Sequence, residues 1–249
     1  MAGNLQVRVK SAYEAECAEE GGADRIILMG EDGLSPDPDL VRKVRKATTV
    51  HLRVLLRLRG GYTNAGRRQN ELVHFAEAKV GVEAHGAEYT TDGGEMASLK
   101  GLAFSALDAG ADGFVFGFLN SLSGIDRLAC TELAGDDTWG WTFDRAIDAT
   151  LDQDRAWKDL RSLPRLDSVM TAGSAREVEQ GLDHLISWVH RKPPIIVAGE
   201  LKPEHIPWLA RAGLTTFFVE DTPVTAESVR AWRLLIDEEI ARRALPVSS

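Results

Sequence analysis

The sequence predicts an α/β protein with a single domain, in which eight parallel strands alternate with eight helices and close into a (β/α)8, or TIM, barrel. A glycine-containing helix end followed by a short apolar run recurs along the chain, in GGADRIIL, GADGFVFG and AGLTTFFVED. The length of 249 residues is close to the roughly 250 typical of such barrels. No dinucleotide-binding or phosphate-binding loop pattern follows a strand, which disfavours an open, doubly wound sheet.

The charge balance and the cysteine content limit the class of protein. The chain carries 29 basic and 38 acidic residues, and a net charge of −9 argues against non-specific nucleic-acid binding. No run of about 18 apolar residues is present, so we expect no membrane span. Cys17 and Cys130 lack metal-site spacing, and the N-terminal residues show no secretory signal, so we expect buried thiols in a cytoplasmic protein.

The first half of the chain contains the predicted strands 5–9, 25–28, 50–57 and 114–117. Ser11 and Asp37 are predicted to cap the first two helices, at residues 12–20 and through residue 46. Residues 62–95 are too long for an ordinary βα loop, so we interpret them as an insertion over the barrel mouth. A lid and a plain surface insertion are equally compatible with this segment. Its residues 71–80 have helical composition, and the next helices are predicted at 97–109 and 126–133.

The second half continues the same alternation. Its predicted strands are 140–143, 168–171, 195–198 and 216–220. Its predicted helices are 151–162, 177–190, 203–212 and 225–243. Alternation of this kind is typical of a parallel sheet covered by helices. Trp139 and Trp141 flank the start of the fifth strand, where we expect them to pack in the core or at an interface.

Five short motifs resemble those of the CutC copper-homeostasis family: GGADRIIL, RLRGG, GADGFVFG, TFDRAID and MTAGS. They occur in the family's order and span most of the chain outside residues 62–95. The resemblance implies a TIM barrel and a role in copper binding and tolerance. Copper is therefore the metal that the resemblance implies, although no ligands for it are identified in this chain.

The chain diverges from the family at residue types that suit copper. A cysteine of the family's first strand is replaced by Arg8, a cysteine ending the second strand by Met29, and a histidine after the fifth strand by Asp144. Copper prefers thiolate, thioether or imidazole ligands. The six histidines have no metal-site spacing, and we interpret them as structural or surface residues. We therefore expect a divergent member with weak or no specific Cu(I) binding.

Charged residues follow the predicted strands at the end where barrels place their active sites. These strand-end residues are Lys10, Met29, Arg57, Arg59, Asn120, Asp144, Arg145, Thr171, Glu200, Glu220 and Asp221. The set mixes cations with carboxylates. This mixture favours a site for a small anionic molecule.

We assign roles within this set. Asp144 and Glu200 are the candidate catalytic carboxylates. The candidate substrate-binding residues are Arg57, Arg59, Arg145, Lys10 and Thr171. Arg57 and Arg59 lie two residues apart, so on a strand both would face the mouth, where guanidinium groups suit carboxylate or phosphate. We therefore expect Arg57, Arg59, Asp144 and Glu200 to converge.

Purely structural alternatives stay open for the same residues. Arg57 and Arg59 would close the rim by ion pairs with Asp144 or Glu200, and Arg145 would pair with Asp148. Three functions compete accordingly. The first is a CutC-like cytoplasmic barrel of the copper-homeostasis class, and the second is a lyase, isomerase or hydrolase acting on a small anion. The third is a non-catalytic barrel that works through an interface, as a homo-oligomer.

Overall fold

The computed structural model describes residues 3–59, 89–135 and 139–244. Within them, eight parallel strands hydrogen-bond in chain order and close into a barrel. The predicted (β/α)8 fold is therefore confirmed. The predicted helix at 71–80 and the possible lid over the mouth lie outside the described residues. That residues 1–249 form one domain stays a prediction.

The strands are short, as expected for a barrel of this size. They are β1 (Asn4–Val9), β2 (Arg25–Leu28), β3 (His51–Leu55), β4 (Gly113–Phe116), β5 (Gly140–Phe143), β6 (Leu166–Thr171), β7 (Ile195–Val197) and β8 (Thr216–Val219). β1 pairs with both β2 and β8, which closes the barrel.

Eight α-helices lie among the described residues. They are α1 (Ala12–Glu20), α2 (Pro38–Ala47), α3 (Gly93–Asp108), α4 (Arg127–Ala134), α5 (Gln153–Leu160), α6 (Val178–Ser187), α7 (Ile206–Ala212) and α8 (Ala226–Ala244). Short 3-10 helices occur at Glu31–Gly33, Arg145–Ala149 and Pro203–His205. The predicted caps Ser11 and Asp37 each accept a backbone N–H of the helix that they begin.

Helix α3 begins earlier than the sequence predicts. The prediction started it at residue 97, whereas the structure starts it at Gly93. The Asp92 carboxylate accepts the N–H groups of Gly94 and Glu95, and the Glu95 side chain accepts the Asp92 N–H. This reciprocal capping stabilises a first turn that two glycines would otherwise weaken. Residues 93–95 therefore belong to the helix, and the predicted start at residue 97 was wrong.

Other differences concern the ends of elements. Strand β3 ends at Leu55 and not at residue 57, because the backbone of Arg57 bonds to Ser35 and leaves the sheet. The predicted helix at 203–212 begins as a 3-10 turn, and the helix predicted to run to residue 190 ends at Ser187.

The core has two parts. The larger part packs between the barrel and its helices, and it contains Trp141, whose ring stacks on Phe116 with centroids 4.1 Å apart. The expected packing role of Trp139 and Trp141 is confirmed, since both are buried there. The smaller part lies inside the barrel and consists of Ile27, Met29, Leu55, Val115, Met170, Ile196, Ala198 and Phe218. Alternate residues of each strand thus face opposite sides of the sheet.

Substitution of two helical glycines by alanine tests how closely the helices pack against their neighbours. A Cβ at Gly181 of α6 would clash with the carbonyl oxygen of Ala172, whereas a Cβ at Gly101 of α3 would meet no atom within 4 Å. We expect Gly101→Ala to raise the free energy of unfolding by about 0.5–1 kcal/mol through helix propensity. We expect Gly181→Ala to lower it by about 1–3 kcal/mol through overpacking. Urea denaturation of both variants measures the difference, and a stabilised Gly181→Ala would contradict the close contact.

Candidate functional site

A cavity opens at the carboxyl ends of the strands. It contains about 540 Å³ of space outside atoms, including the part open to solvent. Its floor is the upper side of the apolar cluster inside the barrel, formed by Met29, Leu55, Val115, Met170, Ala198 and Phe218. Its walls carry the charged side chains of Arg8, Lys10, Arg57, Asp144, Arg145 and Glu220. This arrangement is typical of a small-molecule site, with an apolar pocket and a few convergent polar groups.

Arg57 and Asp144 form a buried ion pair in the wall. Their side chains are only 7% and 6% exposed, and Arg57 Nη2 donates to Asp144 Oδ2. Asp144 Oδ1 also accepts the N–H of Ala146 at 2.8 Å, and the Arg57 guanidinium lies over the Tyr89 ring. Burial raises the pKa of Asp144, while the Arg57 charge and the Ala146 N–H act in the opposite direction. The pair fixes the position of both groups.

Arg145 and Thr171 converge on a second buried carboxylate, Asp148. Arg145 Nε donates to Asp148 Oδ2 at 2.8 Å, and the Thr171 hydroxyl donates to Asp148 Oδ1. The N–H of Ala172 also binds Asp148 Oδ2, at 2.9 Å. The alternative in which Arg145 pairs with Asp148 is therefore observed. Burial raises the pKa of Asp148, and the Arg145 charge opposes this shift.

Arg8 and Glu220 face each other across β1 and the end of β8. Their charged groups are 3.7 Å apart, and Arg8 Nη2 donates to the carbonyl of Glu220 at 3.0 Å and to Thr222 Oγ1 at 2.9 Å. Burial raises the pKa of Glu220, and the charges of Arg8, Arg145 and Lys10 act in the opposite direction. The nearby Glu200 charge raises it further. The Glu220 side chain stays 23% exposed, so it is accessible from the cavity.

Three of the expected site residues do not line this cavity: Arg59, Glu200 and the buried Thr171, whose hydroxyl binds Asp148. Arg59 turns away to Glu95, with 2.8 Å between Nε and Oε1, and to Thr90. Glu200 is exposed and has a left-handed backbone, with φ of 51°. The expected convergence therefore holds for Arg57 and Asp144, and it was wrong for Arg59 and Glu200. The proposed roles of all these residues stay predictions.

The structure adds Arg8 to the site, and it extends the role of Asp148 beyond the predicted pairing with Arg145. Asp148 organises Arg145 and Thr171, and Arg8 points into the cavity beside Glu220. The signal for Arg8 was its spacing, since Gln6, Arg8 and Lys10 alternate along one face of β1. Lys10 lines the cavity as expected, and its side chain is exposed.

Comparison with known proteins places the chain in a family. The family model described as "CutC family" matches residues 78–220, which is more than half of the chain. The chain belongs to the CutC family. A CutC family protein of Klebsiella pneumoniae (strain 342) is 28% identical over 211 residues, covering 81% of this chain and 74% of that protein. The resemblance drawn from the sequence motifs is thereby confirmed.

Solved structures agree with the fold. A crystal structure titled as that of a putative copper homeostasis protein CutC from Streptococcus agalactiae has a TM-score of 0.70 at 16% identity. It covers 87% of this chain and 97% of its own. A thiamine phosphate pyrophosphorylase from Pyrococcus furiosus has a TM-score of 0.59 at 13% identity, with 95% and 96% coverage. At these identities the likeness concerns the barrel alone.

The residues of this CutC family member do not fit a copper ion. In the described parts of the chain, no three histidine, cysteine or acidic residues cluster as metal ligands would. Cys17 and Cys130 are buried, and burial raises the pKa of Cys130 well above its ordinary range, which disfavours the thiolate. In the cavity, the soft atoms are the thioethers of Met29 and Met170, which lie below several cationic side chains. A cation would be repelled there.

None of the described helices combines the length and the apolar character that crossing a membrane requires.

We expect Glu220→Gln to stabilise the protein near pH 7, because burial makes ionisation of Glu220 costly in the folded state. A carboxyl whose folded pKa is raised favours folding below its unfolded pKa, and this contribution is lost as the pH rises through the folded pKa. Glutamine mimics the protonated form, so the gain should shrink as the pH falls toward 4. Each kcal/mol corresponds to a rise in Tm of roughly 2–4 °C.

Thermal melts between pH 4 and 8 measure this effect. Glu238→Gln is the matched control, because Glu238 is exposed on α8 and its replacement should change stability by no more than about 0.5 kcal/mol. A Glu220→Gln variant that is less stable than the wild type at pH 7 would show that the Arg8 ion pair outweighs the cost of burial.

Proposed function

We propose that this CutC family member binds a small anionic molecule at the mouth of its barrel. The observation that carries the proposal is the excess of cations in a largely enclosed cavity. Four cationic side chains line it against two carboxylates: Arg8, Lys10, Arg57 and Arg145 against Asp144 and Glu220. Cationic groups held above an apolar floor attract anions more strongly than they would in water, because the local dielectric constant is lower.

The cations differ in what they offer a ligand. Arg57 and Arg145 are held by buried carboxylates, so their positions are fixed before a ligand arrives. Arg8 is anchored by the carbonyl of Glu220 and by Thr222. Lys10 is exposed at the rim, and its ammonium group makes no ion pair or hydrogen bond within the described parts of the chain. Lys10 is therefore the cation whose charge a bound anion would neutralise.

A second candidate function is catalysis on such an anion, as a lyase, isomerase or hydrolase. One observation favours it: Glu220 borders the cavity, is partly exposed, and has a raised pKa through burial. A carboxyl of this kind suits proton transfer near neutral pH. Asp144 is less available, because Arg57 and Ala146 occupy both of its oxygens. The catalytic roles predicted for Asp144 and Glu200 remain to be tested beside that of Glu220.

We place the chain in the copper-homeostasis class through its family alone, and we propose that it does not hold copper tightly at the mouth. The Streptococcus agalactiae relative is named as a putative copper homeostasis protein. In this chain the cavity offers cations and paired carboxylates in place of soft ligands. A cytoplasmic location, a homo-oligomeric state and the absence of a nucleic-acid partner stay predictions from the sequence.

Anion binding is tested with Lys10→Met. Isothermal titration of acetate and inorganic phosphate at low ionic strength should show binding to the wild type and about fivefold weaker binding to Lys10→Met, since an exposed charge pair contributes about 1 kcal/mol. Lys43→Met is the matched control, because Lys43 is exposed on α2, outside the cavity. Equal losses in both variants, or no binding to the wild type, would contradict the proposal.

Copper binding is tested by competition with a Cu(I) chelator. We expect no stoichiometric Cu(I) uptake at micromolar chelator affinity, because the cavity lacks a cluster of soft ligands. A variant with both cysteines replaced by serine controls for adventitious binding to Cys17 and Cys130. Tight one-to-one binding that survives in this variant would refute the prediction and point to ligands such as Met29 and Met170.

A further inference from the structure

We infer that the anion bound at the mouth is a monoanion with an apolar group, of the class of small aliphatic carboxylates, rather than an inorganic polyanion. The inference rests on the proposed function, because it specifies the ligand of the same cavity. Two features of the site carry it independently: the chemistry of the floor and the balance of charge in the walls.

The floor is apolar over its whole extent. It is built from Met29, Leu55, Val115, Met170, Ala198 and Phe218, which come from six different strands or their ends. These side chains are each at most 7% exposed, so they form a packed surface and not a polar layer. Inorganic phosphate would leave this surface in contact with water. An apolar group would cover it, and each buried methylene should raise the affinity about three- to fourfold.

Among the described residues that line the cavity, one positively charged side chain has no ion-pair partner. Three ion pairs account for the other cations: Arg8 with Glu220, Arg57 with Asp144, and Arg145 with Asp148. Lys10 remains, and the exposed Glu200, whose charge acts on Glu220, does not line the cavity. A monoanion matches a single positive charge. The second charge of a dianion would instead meet the carboxylates of Asp144 and Glu220.

The two features also give the ligand an orientation. Lys10 is exposed at the rim, whereas Phe218 and Ala198 lie inside the barrel. The anionic head would therefore sit outward beside Lys10 and Arg8, with the apolar part directed down to the floor.

The test is a calorimetric titration at pH 7 with acetate, butanoate, hexanoate and inorganic phosphate. In the wild type, butanoate should bind about tenfold more tightly than acetate, because it has two more methylenes, and more tightly than phosphate. Ala198→Leu raises the floor, so it should abolish the gain in affinity from acetate to butanoate. Met29→Ala deepens the floor, so it should extend the gain to hexanoate. Met29→Ala also provides the test if Ala198→Leu does not fold.

The outcomes separate this inference from the proposed function. Binding of all four anions with no dependence on chain length, or tighter binding of phosphate than of butanoate, would overturn the inference and leave the mouth as a general anion site. Chain-length dependence that is unchanged in both floor variants would also overturn it, since the apolar contact would then lie elsewhere. If none of the anions binds, or if Lys10→Met does not weaken their binding, the proposed function and the inference are both overturned.

Discussion

A charged side chain that points into a closed barrel needs an oppositely charged or hydrogen-bonding group inside the same barrel. This constraint determines where the charged residues of the interior lie. At the amino ends of the strands, the buried Arg53 pairs with Asp167 and donates to Thr142. At the carboxyl ends, Arg57 pairs with Asp144. An apolar layer separates the two. For the Arg57–Asp144 pair, which is buried on both sides, loss of one partner costs about 3–5 kcal/mol, because the other charge is left without compensation. The upper charged layer borders the cavity, so its paired charges can also serve a ligand.

The ion pairs in turn explain two glycines that follow strands. A Cβ at Gly117, after β4, would clash with the Asp144 carboxylate, and a Cβ at Gly199, after β7, would clash with the Arg145 guanidinium. Gly199 also has φ of +106°, which side chains rarely adopt. These positions stay small because charged groups that follow β5 occupy the space. The repeated pattern of a strand followed by glycine therefore reflects the packing of the mouth as well as the turn.

The fold was predictable from the sequence, whereas the site was predictable only in part. The alternation of apolar runs with helices was enough to predict the closed barrel. The positions of Arg57 and Asp144 after their strands were enough to predict that the two side chains meet. The direction of a side chain beyond the last strand residue depends on local backbone bonds that the pattern does not contain. Arg59 turned to the capping residues of α3, and Glu200 took a left-handed backbone conformation. Glu220 belonged to the same strand-end set, but its burial beside Arg8 depends on how β8 meets β1.

The divergence of this chain from its family follows from the same constraint. Where the family resemblance implies a cysteine on the first strand, the chain has Arg8, whose partly buried guanidinium needs hydrogen-bond acceptors. Arg8 donates hydrogen bonds to the Glu220 carbonyl and the Thr222 hydroxyl, and it forms an ion pair with the Glu220 carboxylate. Where the resemblance implies a histidine, the chain has Asp144, and Arg57 donates a hydrogen bond to its carboxylate. Both replacements substitute charged, paired groups for soft metal ligands. If the mouth binds an anion as proposed, these replacements exchange groups suited to a soft cation for groups suited to an anion.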